Sequence, residues 1–144
     1  MTPPAHRVAA LDLGTRRIGV AACDELGVSV RPLGVIPCIG AKRDAQSLRQ
    51  MLDGLNVRLL VVGLPLLDSG DEGASAARCR VQGDDLARRL QLPIEYSDES
   101  DTTVEAQRIL RSRGAASKDA VDALAAAIIL EEWLARQASS ESAP

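Results

Sequence analysis

The feature that most constrains the fold is a continuous apolar run at residues 58–64 (RLLVVGL). An uninterrupted run of this length is typical of a parallel strand buried on both faces of a sheet. Helical spacing of apolar residues before it, at about 45–55, and after it, at about 74–90, supplies the crossovers that parallel strands need. We expect the inner side of the second helix to carry Ala77, Val81, Leu86 and Leu90. The pattern predicts an α/β fold.

Three strands are predicted before this run. Residues 7–13 (RVAALDL) and 17–23 (RIGVAAC) are short apolar segments separated by a Gly-Thr turn, which indicates a hairpin. Residues 30–37 (VRPLGVIP) favour a third strand, in which Pro32 fits best at an edge. Together the three predict an antiparallel meander at the start of the sheet.

The rest of the chain completes one domain, predicted to span residues 1–138. Residues 93–97 predict a fifth strand, helices follow at about 102–113 and 118–137, and residues 139–144 predict a disordered tail. This order predicts a mixed five-stranded sheet, part meander and part parallel, with helices on both faces.

Composition limits how such a chain can bind nucleic acid. The 144 residues include no Phe, one Trp and one Tyr, so the core is aliphatic and few rings can stack on bases. The net charge is −3, whereas a protein that binds nucleic acid mainly through charge is basic. Any nucleic-acid contact therefore requires a local basic patch.

The cysteines and the single histidine exclude several kinds of site. Cys23, Cys38 and Cys79 are odd in number and form no CxxC, which disfavours a disulfide framework and structural zinc. His6 alone provides no imidazole base within an ordered element. The N-terminus lacks an apolar signal, and the longest apolar run, 123–130, is too short to span a membrane. We expect a cytoplasmic protein with no membrane association.

Asp12 is the first candidate for chemistry, because it ends an otherwise apolar strand. A buried carboxylate is costly unless it is paired or binds a metal. Carboxylate oxygens suit Mg²⁺ and Mn²⁺, and the residue types do not decide between the two. The alternative interpretation is an Asp that caps the turn at Gly14.

Acids at two further positions can join Asp12. Asp98 and Glu99 follow the fifth strand, at the edge where ligands of α/β sheets gather, although helix capping explains them equally well. Asp122 shares a helix face with Ala126 and Ile129 that must pack on the sheet; a role at the helix N-terminus is its alternative. Converging acids would hold one or two cations for phosphodiester hydrolysis.

Phosphate contacts are predicted from two loops near these acids. Gly70 and Gly73 permit close backbone approach before a helix N-terminus, although a plain surface loop is an equal alternative. Arg16 and Arg17, beside the turn at Gly14, are placed to hold phosphate oxygens bidentately, and the other interpretation is that water solvates them.

Four segments stand out along the chain: LDLGTRRIGVAACD (11–24), VVGLPLLDSGDEG (61–73), SDESDTT (97–103) and AVDALAAAIIL (120–130). Together, in this order and spacing, they resemble the YqgF family of Holliday junction resolvase-like proteins. The resemblance implies a ribonuclease H-like fold, divalent-metal nuclease chemistry with Mg²⁺ or Mn²⁺, and a role in maturing the 5′ end of 16S ribosomal RNA.

The resemblance also implies residue roles. The family's acidic positions, as catalytic residues and metal ligands, correspond to Asp12, Glu99 and Asp122, and its arginine corresponds to Arg16 or Arg17.

Two residues depart from the family pattern in the third segment. Ser100 replaces an arginine, and Asp101 replaces an apolar residue. A cation is lost there and a negative charge is added, which weakens the expected hold on substrate or the placement of this loop.

Several functions remain open from the sequence. Structured RNA is the first expected partner and branched DNA in recombination or repair the second; resolving a junction requires a symmetric homodimer, whereas RNA trimming permits a monomer. A non-catalytic nucleic-acid-binding module is a third reading. The DLGT turn also resembles that of sugar-kinase-like ATPases, which need two such lobes. Endo- or exonucleolytic mode is undetermined.

Overall fold

The computed structural model describes residues 7–98 and 118–142. The strands are β1 (Arg7–Leu13), β2 (Arg17–Cys23), β3 (Val30–Pro37), β4 (Val57–Leu64) and β5 (Ile94–Asp98). The helices in these ranges are α1 (Ala41–Leu52), α2 (Ala74–Leu90) and α3 (Lys118–Ser142). The helix predicted at about 102–113 lies outside the described residues.

The strands form one mixed sheet in the order β3-β2-β1-β4-β5. β1, β2 and β3 are antiparallel neighbours, and β4 and β5 extend the sheet in parallel from β1. The predicted meander and parallel strands are thus confirmed, and β3 lies at an edge, where Pro32 is tolerated because one side of the strand needs no partner.

Side chains of β1 alternate between two cores. Ala9, Leu11 and Leu13 face the core shared with α1 and α2, whereas Val8 and Ala10 face Ile129, Leu130 and Trp133 of α3. The predicted helices on both faces are therefore confirmed. Both cores are built almost entirely of aliphatic side chains, as the lack of phenylalanine requires.

The predicted inner face of α2 was wrong at two of its four positions. Val81 is 73% exposed and Ala77 is also exposed, whereas the buried residues are Ala76, Cys79, Gly83, Leu86 and Ala87. The face is rotated by about one residue because Gly83 fits against Tyr96 of β5, where a side chain at that position would lie 2.7 Å from the phenolic oxygen. The prediction was based on the spacing of large apolar residues, and this spacing does not show where a glycine contacts a neighbouring strand.

The last helix is longer than predicted. We expected its end near residue 137, yet α3 continues to Ser142; the disordered tail expected at residues 139–144 stays a prediction. Neither glycine nor proline occurs between Ala135 and Ser142, so nothing in the local sequence breaks the helix.

None of the described helices is long and apolar enough to cross a lipid bilayer.

Candidate active site

A cavity of about 360 Å³ lies at the carboxyl end of β1 and β4. Its lining comprises Asp12, Leu13, Gly14, Thr15, Arg16, Arg17, Gly63, Pro65, Ser75, Arg78, Cys79 and Asp122. Two of the three predicted catalytic acids and both predicted arginines thus meet in one cavity. This is the edge of the sheet where ligands of α/β proteins bind.

Asp12 enters the cavity because of its place in β1. It pairs with Gly19 of β2, and strand alternation puts it on the same face as Val8 and Ala10, which is the face covered by α3. The side chain is half-buried. An acid at this position is therefore directed toward the helix that carries Asp122.

Asp122 is held by a close approach of α3 to β2. A β-carbon built at Gly19 would lie 2.0 Å from the carbonyl oxygen of Asp122, so only glycine permits this packing. Asp122 itself is 9% exposed, which means that its carboxylate is largely removed from bulk water. The cross-strand pairing of Gly19 with Asp12 brings the two acids to one place on the sheet.

Arg17 is the cation that faces Asp122. Its Nε donates to Asp122 Oδ2 at 2.7 Å, and Asp119 Oδ1 lies 3.7 Å from the same nitrogen. The hydrogen bond to Asp122 raises the pKa of the Arg17 guanidinium, with a smaller contribution from Asp119. Arg17 therefore orients an acid, whereas Arg16 is exposed at the mouth of the cavity and open to substrate.

Gly14 shapes the turn between these arginines and Asp12. Its N–H donates to Arg17 O at 2.9 Å, and a β-carbon at Gly14 would lie 2.7 Å from that oxygen. Gly70 and Gly73 do not line the cavity. Gly70 closes a turn with Leu67 at a φ of 89°, and Gly73 packs against Leu67. These two glycines shape the loop, and their predicted contact with phosphate stays a prediction.

Arg78 and Ser75 also line the cavity, although the sequence did not single them out as site residues. Arg78 Nη2 donates to Leu13 O at 3.1 Å and Nη1 donates to Gln82 Oε1 at 3.0 Å, so the guanidinium is fixed at the wall of the cavity. The sequence signal that could have found them is their position in the first turns of α2, the helix that follows the carboxyl end of β4. Without knowing the helix face, Arg78 looks like any other helical arginine.

The donor chemistry of the cavity suits a hard divalent cation. Mg²⁺ is commonly held by one or two carboxylates, with water and substrate phosphate completing its shell. Asp12 and Asp122 supply two such carboxylates. In the ranges 7–98 and 118–142 no larger group of Asp, Glu, His or Cys side chains is gathered for a metal. Glu99, the third predicted ligand, lies outside the described residues, as do Ser100 and Asp101.

Comparisons with known proteins agree along nearly the whole chain. A family model described as "RuvX: Holliday junction resolvase" matches residues 6–136. A protein of Prochlorococcus marinus (strain MIT 9211) is 39% identical over 88% of this chain and 87% of its own length. One of Anaeromyxobacter sp. (strain Fw109-5) is 41% identical over 89% of this chain and 96% of its own. Both carry the name "Putative pre-16S rRNA nuclease".

Similarity to solved structures is weaker. The match to YeaZ from Pseudomonas aeruginosa covers 76% of this chain and 50% of that protein's chain, with a TM-score of 0.44 and 26% identity. The family model and the full-length relatives, by contrast, cover both the mixed sheet and the cavity residues. The chain therefore belongs to the RuvX family, the YqgF-like nucleases with a ribonuclease H-like fold that its motifs predicted.

Proposed function

We propose that this protein is a divalent-metal-dependent nuclease that hydrolyses phosphodiester bonds while processing the 5′ end of precursor 16S ribosomal RNA. The observation that carries the proposal is the meeting of Asp12 and Asp122 in one cavity with Arg16, Arg17 and Arg78. Acids that suit a cation lie beside guanidinium groups that suit phosphate, which is the pairing that phosphodiester hydrolysis needs. The relatives' names support the RNA substrate and, with it, action in the cytoplasm.

In the proposed mechanism Asp12 and Asp122 would hold Mg²⁺ or Mn²⁺, and Glu99 would be a further ligand. The bound metal supplies activation of water and stabilisation of the leaving oxygen. Arg17 fixes the carboxylate of Asp122 through its 2.7 Å hydrogen bond, so that the acid keeps one orientation while substrate binds. Burial of Asp122 strengthens that electrostatic contact, because little water screens it.

The substrate phosphate is held by the remaining cations. Arg16 is exposed at the mouth, and Arg78 is anchored to Leu13 O on the wall, so the two would grip phosphate oxygens from different sides of the cavity. The single histidine of the chain, His6, falls outside the described residues, and the cavity lining contains none. We propose that water carries the proton in this mechanism.

The test is cleavage of a precursor 16S rRNA fragment and a four-way DNA junction, side by side, with Mg²⁺, with Mn²⁺ and with EDTA. We expect metal-dependent cutting of the RNA and its loss by at least about a hundredfold in Asp12→Asn, since even outer-shell ligands matter tenfold to a hundredfold. Glu95→Gln, an acid on β5 outside the cavity lining, is the matched control and should cut normally. Cleavage with no divalent metal, or full activity of Asp12→Asn, would refute the proposal.

Junction resolution is the second candidate, because the family model carries that description. It needs paired sites in a symmetric homodimer. Cutting of the DNA junction alone, by a protein that sediments as a dimer, would establish this function in place of the first. Absence of cutting with every metal would favour the non-catalytic binding module.

A further inference from the structure

A second cavity lies at the amino end of β1, opposite to the carboxyl end of this strand, where the candidate active site lies. Its volume is about 240 Å³, and its lining includes Arg7, Asp24, Ser29, Arg31, Leu33 and Leu55. Arg7 begins β1 and Asp12 lies near its end, so at about 3.3 Å per residue the two cavities are roughly 17 Å apart along the strand. This second cavity is too far away to share the chemistry of the first.

Two arginines line this second cavity, and neither forms an ion pair with a described residue. The Nε of Arg7 is buried and makes no hydrogen bond within the described ranges. A buried donor without an acceptor is rare, because it loses water and gains nothing in return. Arg31 lines the same cavity from β3, level with Ala9 of β1, since Ala9 pairs with Ala22 and Ala22 pairs with Arg31.

Asp24 is the one acid in the lining. Its Oδ1 accepts the Val28 N–H at 2.9 Å within the β2–β3 turn, and this bond lowers the pKa of the Asp24 carboxyl, so the group stays ionised. Two guanidiniums against this one carboxylate leave the charged side chains of the lining with a positive balance, on a chain whose net charge is −3. Leu33 and Leu55 contribute apolar side chains to the lining, and Ser29 adds a hydroxyl.

We propose that this second cavity binds a backbone phosphate of the nucleic-acid substrate, at a distance from the bond that is cut. Paired guanidinium forks match the oxygens of a phosphate, and Arg7 Nε gains the acceptor that it lacks. The identity of the ligand rests on the proposed function; the positive cavity does not. Such a contact positions a long substrate without reading its sequence.

The experiment measures binding of a labelled precursor 16S rRNA fragment in EDTA, which prevents cleavage, over a series of salt concentrations. Each phosphate contact contributes about 0.7 to 0.9 to the slope of log K against log salt. We expect Arg7→Gln and Arg31→Gln each to lower the slope by about this amount, and Arg31→Lys to preserve it because the charge remains. Arg88→Gln removes an equal charge from an exposed residue of α2 that pairs with Asp85, and should leave the slope unchanged.

Arg31 is exposed, so its replacement should not disturb folding, and thermal melts of each variant check this. Unchanged slopes for folded Arg31→Gln and Arg7→Gln, or an equal loss in Arg88→Gln, would overturn the inference. The outcome is separable from that of the proposed function. A lowered slope in a protein that never cleaves RNA refutes the nuclease alone, whereas normal cleavage with unchanged slopes refutes the second cavity alone.

Discussion

The contact between Arg17 and Asp122 is the central interaction of the cavity at the scale of single residues. The Arg17 side chain is 31% exposed and that of Asp122 12%, so water screens the pair only in part. In EDTA we expect Arg17→Gln and Asp122→Asn each to lower the midpoint of urea denaturation, and the double variant to lose less than the sum of the two single effects. Urea denaturation measures all four proteins.

A matched control for this cycle exists on the surface. Arg80 and Glu72 lie 2.7 Å apart with side chains 44% and 42% exposed, so the effects of Arg80→Gln and Glu72→Gln should be close to additive. Strictly additive effects of Arg17→Gln and Asp122→Asn would show that the buried contact does not stabilise the fold.

Arg78 offers a second test, because its guanidinium geometry is fixed by Leu13 O and Gln82. Arg78→Lys keeps the charge but loses the planar fork, and we expect kcat/KM on precursor RNA to fall about tenfold or more, since a charge-assisted hydrogen bond contributes about 1.5 to 3 kcal/mol. Arg80→Lys, two residues along the same helix and paired with Glu72, should stay within about twofold. Equal rates for wild type and Arg78→Lys would remove Arg78 from the site.

Some of these cavity residues could be predicted from the sequence, and others could not. A lone acid at the end of an apolar strand is conspicuous, and so is an acid on the inner face of an apolar helix; Asp12 and Asp122 indeed share the cavity. Arg78 could not be predicted because the chain has many arginines. Only the rotation of α2 about its axis shows that Arg78 is the one that donates a hydrogen bond to Leu13 of β1. Glu99 stays a prediction.

Among the elements, the crossing of α3 over β2 depends on Gly19. An alanine there would place its β-carbon 2.0 Å from backbone of α3, so either the helix or the strand must shift. We expect Gly19→Ala to cost about 1 to 3 kcal/mol in urea denaturation. Cleavage should fall by about a hundredfold, because displacing Asp122 by an ångström disturbs the site.

Gly40→Ala is the control for this substitution. A β-carbon at Gly40 meets nothing within 4 Å, and its backbone is extended, so stability should change by less than about 1 kcal/mol and cleavage should stay normal. If Gly19→Ala behaved like Gly40→Ala, the close packing of α3 on β2 would not position the cavity.

Strands were easier to predict than helix faces. β1, β2 and β3 begin and end at the predicted residues, since short apolar runs between turns leave few alternatives. The face of α2 was wrong because small residues, Ala76, Cys79 and Gly83, form its contact surface, while Val81 faces outward. Amphipathic spacing counts large apolar side chains, and this helix packs through small ones.

At the scale of the whole molecule, metal binding should raise the thermal stability of the folded protein. A ligand that binds only the folded protein stabilises it by about 2.7 kcal/mol at a hundred times its Kd. We expect Mn²⁺ at such a concentration to raise Tm by roughly 5 to 15 °C, and we expect Asp12→Asn to lose most of that increase. Differential scanning calorimetry with Mn²⁺ and with EDTA measures both proteins. An identical Tm increase in Asp12→Asn would place the metal elsewhere.

The hydrogen bond between Arg17 and Asp122 joins residues 105 positions apart. The residues that β1 contributes to the cavity are synthesised early, whereas Asp122, on the opposite side, is synthesised only with α3. A chain interrupted anywhere before residue 118 would carry Asp12 and the arginines of the first turn without their partner acid. If Asp122 acts as proposed, truncated translation products and unfinished chains would be inert, so nuclease activity would begin only when the polypeptide is nearly complete.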